Sequence, residues 1–284
     1  MFLLNKPKVE VSVDVDGDSY YLGDTIKTRI HMLSQDKLKV RAGSMELACT
    51  EEYWKMVSDG KTTRAQKYKR KLFRLKESFL TSTEFSSGMA LNERKSLILP
   101  VDIPPTIVGK SANISWQLDV KLDIPKMRDI HKKKTLTVLP IANAIPIGME
   151  NDIVVSNRIL KPSRDGDITL TLDSSQCTAG VTLCGTLETM IKKDISVEGV
   201  RVELEVKEKA GVKSSKTIID KVQLEEKTHF AVGSYKRWKF SLKIPEGTLP
   251  SYKISDTSVQ WRVKGIINKR LKKDLQVELP ISVY

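Results

Sequence analysis

The chain has 284 residues, of which 48 are basic and 35 acidic, for a formal net charge of +13. Three cysteines do not make a disulfide framework, the apolar stretch in the leading "MFLLNKPKVEV" is too short for a signal-peptide core, and no apolar run is long enough to span a membrane. A reduced, intracellular, cytoplasmic protein is the expectation, with a basic excess that favours partners carrying negative charge.

Taken in chain order, the pattern is one of short strands. "KVEVSVDV" (8–15) alternates valines with polar residues, and "YYLGDTIKTRI" (20–30) places a turn glycine ahead of another alternating run. Between them the aspartates of "DVDGDSYYLGD" (Asp14, Asp16, Asp18, Asp24) read as a turn built for its backbone geometry. They lack the terminal glutamate and the flanking helices of a calcium loop. Next comes the basic segment 61–76, "KTTRAQKYKRKLFRLK", which sits inside the one stretch with any helical character, "TRAQKYKRKLFRLKESFL". Even there the second half alternates as well as it coils.

After "SLILP" the chain runs through "LPVDIPPTIVGKSANISWQLDV" (99–120) and closes with "HKKKTLTVLP" (131–140). Two prolines and a glycine in "PIANAIPIGMENDIVV" (140–155) then break the pattern, which predicts domains over 1–145 and 146–284. The second half reads "ITLTLD", "CTAGVTLCGTL", "VRVELEVKE", "KFSLKIP", "IPEGTLPSYKISDTSVQWRV" and "LQVELPISV". The fold class expected is all-β, two tandem antiparallel sandwiches.

The halves repeat in register. Pro100 and Pro245, Pro105 and Pro250, and Trp116 and Trp261 are each 145 positions apart. Gly23 and Gly180 are 157 apart, so the first copy holds 12 additional residues somewhere between Gly23 and Pro100. Proline cannot donate to a ladder, so the paired prolines close one strand and stiffen the crossing to the next. That next strand carries the tryptophan, read as a core anchor in each copy, with ligand stacking as the alternative.

This order of features resembles the arrestin-like superfamily, which includes α-arrestins, the arrestin-type subunit of retromer and sporulation-control proteins. The resemblance rests on "VEVSVDVDGDSYYLGDTIKTRI" and "LILPVDIPPTIVGKSANISWQLDVKLDIP", with their second copies "GVTLCGTLE" and "FSLKIPEGTLPSYKISDTSVQWRVKGII". It implies tandem arrestin-like, immunoglobulin-like sandwiches and a non-enzymatic adaptor or scaffold role in trafficking or signalling. The implied partners are proteins, in particular cytoplasmic segments of membrane cargo or receptors. The phosphate-binding lysines near the first strand of arrestins match Lys6 and Lys8 loosely, with Pro7 between them. The ligase-recruiting Pro-Pro-x-Tyr motif is absent, since the one Pro-Pro is followed by Thr-Ile.

The residues themselves nominate one surface. Lys61, Arg64, Lys67, Lys69, Arg70, Lys71, Arg74 and Lys76 occur in a run without an acid, inside the interval that contains the extra residues of the first copy. A loop longer than its duplicate and loaded with one sign of charge is a candidate contact for an acidic or phosphorylated peptide or an anionic membrane. Arginines 70 and 74 have the fork geometry for phosphate. The bland alternative is a solvated hairpin whose charges blunt a strand edge. Nucleic acid is disfavoured because only Tyr68 and Phe73 interleave as stacking residues. A second basic cluster, Lys126, Arg128 and His131–Lys134, reads as ordinary surface charge.

Enzyme chemistry has no inventory to work with. The three histidines are far apart with no ligands at metal spacing, no phosphate loop or nucleophile elbow occurs, and Cys177 and Cys184 read as buried structural thiols. No cofactor or metal is expected. The alternative to an adaptor is a peripheral scaffold that binds anionic lipid and reads no peptide.

Overall fold

The computed structural model describes residues 7–58, 60–141, 153–156, 163–270 and 272–284. Lys6 and most of the expected junction at 140–155 lie outside the described residues. By contact, residues 1–54, 64–108 and 112–142 form one compact unit, and 55–63, 109–111 and 143–284 a second. All regular structure among the described residues is β-strand.

The first unit is built from β1 (Val9–Val15), β2 (Ser19–Tyr21), β3 (Thr25–Ser34), β4 (Leu38–Val40), and all but the facing ends, 55–58 and 63, of β5 (Ala42–Ser58) and β6 (Thr63–Leu80). These are followed by β7 (Thr83–Phe85), β8 (Ala90–Ile98), β9 (Ile107–Val108), β10 (Ala112–Asp123) and β11 (Ile130–Leu139). A three-stranded sheet in the order β1-β3-β8 faces a six-stranded one in the order β2-β11-β10-β5-β6, with β9 pairing to β10. Alternation decides what each strand buries: Ile26, Ile30 and Met32 of β3 are inside, as are Met45, Leu47 and Cys49 of β5 and Trp116, Leu118 and Val120 of β10. The Thr28 hydroxyl reaches Met45 Sδ across this core at 3.6 Å.

The second unit comprises β12 (Ile153–Ser156), β13 (Gly166–Leu172), β14 (Gln176–Cys177), β15 (Thr182–Ile191), β16 (Ile195–Ala210) and β17 (Lys213–Glu225). Then come β18 (Thr228–Phe230), β19 (Tyr235–Lys243), β20 (Tyr252–Ile254), β21 (Thr257–Lys269) and β22 (Leu275–Val283). Its sheets run β12-β13-β15-β19 and β14-β22-β21-β16-β17. One hydrophobic core joins them, with Leu170, Leu187 and Leu242 from the first meeting Leu204, Trp261 and Val277 from the second.

The duplication holds bond by bond. Gly23 N donates to Leu99 O as Gly180 N does to Ile244 O, and both glycines have positive φ, at 94° and 89°. The parallel pairing of β2 with β11 recurs as β14 with β22. Trp116 Nε1 donates to Pro104 O at 3.0 Å and Trp261 Nε1 to Leu249 O at 2.9 Å. Both indoles are buried, so they anchor the proline-bearing loop to the core.

The additional residues of the first copy can now be placed. Trp116 lies opposite Cys49 and Trp261 opposite Val206, which carries the offset of 157 into β5. It still holds where Ala112 faces Tyr53 and Thr257 faces Ala210. By β7 and β18 the offset is 145. β16 ends at Ala210, the counterpart of Tyr53, whereas β5 continues to Ser58; β17 begins at Lys213, the counterpart of Tyr68, whereas β6 begins at Thr63. Five residues on each strand and two at the turn account for all twelve. The twelve additional residues therefore lengthen a hairpin into a β-arm within 54–67, where the duplicate has a turn of two residues, and do not form the loop that their charge suggested. The segment with helical character, 63–80, is the strand β6 throughout.

Candidate functional site: the extended hairpin and its basic face

The arm grows from the end of the six-stranded sheet, where the Tyr53 and Tyr68 rings pack at 5.2 Å and close its base. Beyond them the strands leave the core. Trp54 is 49% exposed, Met56 40% and Val57 39%. Large apolar side chains left in water on one element mark a contact surface.

At the foot of the arm and below it, the basic residues of β6 stand beside glutamates of β5, its neighbour in the sheet. Lys67 and Lys69 both reach Glu52, at 2.6 and 2.7 Å. Glu46 accepts from Lys71 and from Arg74, the latter through Nη2 at 2.8 Å. Four cations thus share two carboxylates, which leaves this face with a surplus of positive charge. Desolvation of Glu46 opposes its ionisation, but the hydrogen bonds from Lys71 and Arg74 outweigh it and hold its pKa below the ordinary value. The hydrogen bonds from Lys67 and Lys69 do the same for Glu52.

Arg70 takes another course. Its Nη2 donates at 2.7 Å to Glu51, whose side chain is fully buried, so its guanidinium is directed inward and not toward a ligand on the basic face. Phe73 packs on Trp116 at 5.8 Å, and Tyr68, although 40% exposed, has its ring against Tyr53. Lys61, Arg64 and Lys76 are exposed along the same hairpin. The structure thus brings Lys67, Lys69, Lys71 and Arg74 onto one face, turns Arg70 away from it, and extends Lys61 and Arg64 onto the arm.

Of the two lysines near the first strand, Lys8 is described, and it pairs with Asp36 at 3.3 Å. A groove of about 420 Å³ lies beside β1, between Val9 and Val11 on one side and Arg128, Ile130 and Lys132 on the other. His131 contacts Asp119 at 3.2 Å, and Lys121 contacts Asp129 at 2.6 Å. In the acidic turn, Asp16 accepts from the Tyr20 hydroxyl at 2.9 Å and from Lys27 N at 3.1 Å. Burial and Asp16 push the Tyr20 hydroxyl up to about 12. These bonds tie the turn to its own sheet. Among the described residues no group of three or more His, Cys, Asp or Glu is arranged for a metal ion. Cys49 and Cys177 are buried, but Cys184 is exposed, contrary to the expectation of a buried thiol. The reason is register: Cys184 is on the outward row of β15, between buried Leu183 and Gly185.

Residues 9–144 match the family described as arrestin (or S-antigen), N-terminal domain. The first unit is an arrestin domain. A search of curated protein sequences finds no match to the chain. The match covers the whole sandwich of the first unit, from β1 through β11, and an arrestin domain is the fold of a family of non-enzymatic, protein-binding adaptors. Among the described residues of this arrestin-like protein no helix is long and apolar enough to cross a membrane.

Reading the run 61–76 by itself missed Glu46, Glu51 and Glu52, because the partners of a strand are set by its neighbour in the sheet, 15 to 28 positions upstream. It also missed Trp54, Met56 and Val57. The signal for both was the "ELACTEEYWKM" segment (46–56), which continues past the point where its counterpart turns.

Proposed function

We propose that this arrestin-like protein is an adaptor that binds acidic or phosphorylated segments of other proteins, including cytoplasmic segments of membrane cargo or receptors, in trafficking or signalling. The observation that carries this reading is the face of Lys67, Lys69, Lys71 and Arg74, where four cations share two carboxylates beside a hairpin that only the first copy extends. An acidic segment laid on it supplies the missing negative charge, and the groove beside β1 offers an edge for an extended peptide to add as a strand. We assign the chain to two separately folding domains, 1–145 and 146–284; expressing each half alone tests that division.

The test is charge reversal of Lys67, Lys69, Lys71 and Arg74 to Glu, with thermal unfolding as the control for fold. Binding is measured to a polyglutamate peptide and a doubly phosphorylated peptide over a range of salt. The parent is expected to bind with an affinity that falls as salt rises, and the variant to lose it. Equal binding by the two would remove this face from the assignment.

A second reading is favoured by the exposed Trp54, Met56 and Val57, which place apolar side chains among Lys55, Lys61 and Arg64. This combination suits the headgroup region of an anionic bilayer. Co-sedimentation with neutral and anionic vesicles separates the two. Binding to anionic vesicles, with none to either peptide, makes the protein a lipid-binding scaffold.

A further inference from the structure

β8 is a terminal strand of its sheet, paired with β3 in the order β1-β3-β8. An edge of this kind presents a row of backbone donors and acceptors to any strand that fits beside it, and cross-strand side-chain pairs decide which does. From Ala90 to Ile98 the strand reads Ala-Leu-Asn-Glu-Arg-Lys-Ser-Leu-Ile. Laid antiparallel on a second copy about a twofold axis at Arg94, it sets Leu91 opposite Leu97, Asn92 opposite Ser96, Glu93 opposite Lys95 and Ala90 opposite Ile98. Apolar meets apolar, amide meets hydroxyl, and the carboxylate of Glu93 meets the ammonium of Lys95.

The strand is prepared for such a neighbour. Glu93 and Lys95 are half-buried, and neither forms a salt bridge among the described residues. Ile98 is 66% exposed. The one unfavourable pair is the axis itself, where Arg94 meets its own copy.

Other terminal strands fail the same operation. β1 sets Glu10 against Asp14, and β6 sets Lys67 against Lys76 and Lys69 against Arg74. β17 sets Ile218 against Asp220. The duplicate of β8, β19, sets Arg237 against Ser241 and Lys236 against Leu242. Among these longer terminal strands, complementarity to itself is a property of the first copy's β8.

We propose that two copies of this chain associate through β8, joining their three-stranded sheets into one six-stranded antiparallel sheet across a twofold axis. The interface is isologous, so every pair occurs twice and a change at one position acts twice.

Analytical ultracentrifugation of the full chain over a wide concentration range tests this. The parent is expected to show a monomer–dimer equilibrium. Glu93→Lys, which turns two attractive pairs into repulsive ones, weakens it about tenfold or more. Adding Lys95→Glu to that variant restores it, and Arg94→Gln tightens it. Glu93→Lys mixed with Lys95→Glu forms a heterodimer although each alone associates poorly, a result that misfolding does not produce. A parent that stays monomeric throughout, or a dimer indifferent to Glu93→Lys, overturns the proposal.

Discussion

The indole Nε1 of Trp116 donates to the carbonyl oxygen of Pro104 at 3.0 Å, from a side chain that water does not reach. One side chain thus fills the core and holds the loop between two strands, and Trp261 repeats the arrangement with Leu249. Trp116→Phe keeps most of the volume and removes the donor. It is expected to cost about 1–2 kcal/mol, whereas Trp116→Ala costs about 3–5 kcal/mol. Urea unfolding of the two variants checks the ratio, and Trp261→Phe should behave as Trp116→Phe does.

Arg70 and Glu51 supply a second test. Arg70→Met removes the guanidinium from a fully buried carboxylate and is expected to destabilise by about 3–5 kcal/mol. Pairing it with Glu51→Leu should recover much of that loss, since the buried charge goes with it. Thermal and urea unfolding of the single and double variants measure both.

Acid should loosen the basic face. The folded-state pKa values of Glu46 and Glu52 lie below the ordinary 4.5, so their contribution to stability is complete above that value and is lost as pH falls through the folded values. Unfolding free energy is expected to decline over that acid range. In a Lys71→Met/Arg74→Met variant the part of the decline due to Glu46 disappears. Unfolding titrations at a series of pH values give the comparison.

The thiols should sort by burial. Burial pushes Cys49 up to about 12, helped by the charge of Glu51, and burial pushes Cys177 up to about 11, while Cys184 faces solvent. A disulfide reagent is expected to modify one thiol in the native protein and three in denaturant, and Cys184→Ser removes the native reaction.

The arm should be dispensable to the fold. Cutting the hairpin back to the length of its duplicate removes residues that extend beyond the Tyr53–Tyr68 contact and lie outside the first unit's core, so the unfolding midpoint of the first unit is expected to hold while acidic-peptide binding falls with the loss of Lys67. Calorimetry and a binding titration on one sample report both.

Much of the architecture was legible because two copies annotate each other. The spacing of Pro100, Pro105 and Trp116 to Pro245, Pro250 and Trp261 located the same crossing twice, and alternation along segments such as 8–15 and 200–208 is enough to orient a strand with one buried face. Twelve extra residues were countable, but their shape was not, since lysines alternating with Tyr68, Leu72 and Phe73 fit a loop, a helix end or a strand. Charge was the least legible. A run without acids looked unneutralised until β5 was laid beside it, and alternation alone would group Arg74 with Arg70, whereas the inward pair Leu72 and Phe73 breaks the period and returns Arg74 to the face of Lys69 and Lys71.

The arm changes length without shifting the β5–β10 ladder, which runs through Tyr53 in step with its duplicate, and the two copies are again in step at β7. The tip is consequently a splice point. A recognition epitope or a reporter grafted between Ser58 and Thr63 is therefore expected to leave the β5–β10 ladder and the core behind it as they are.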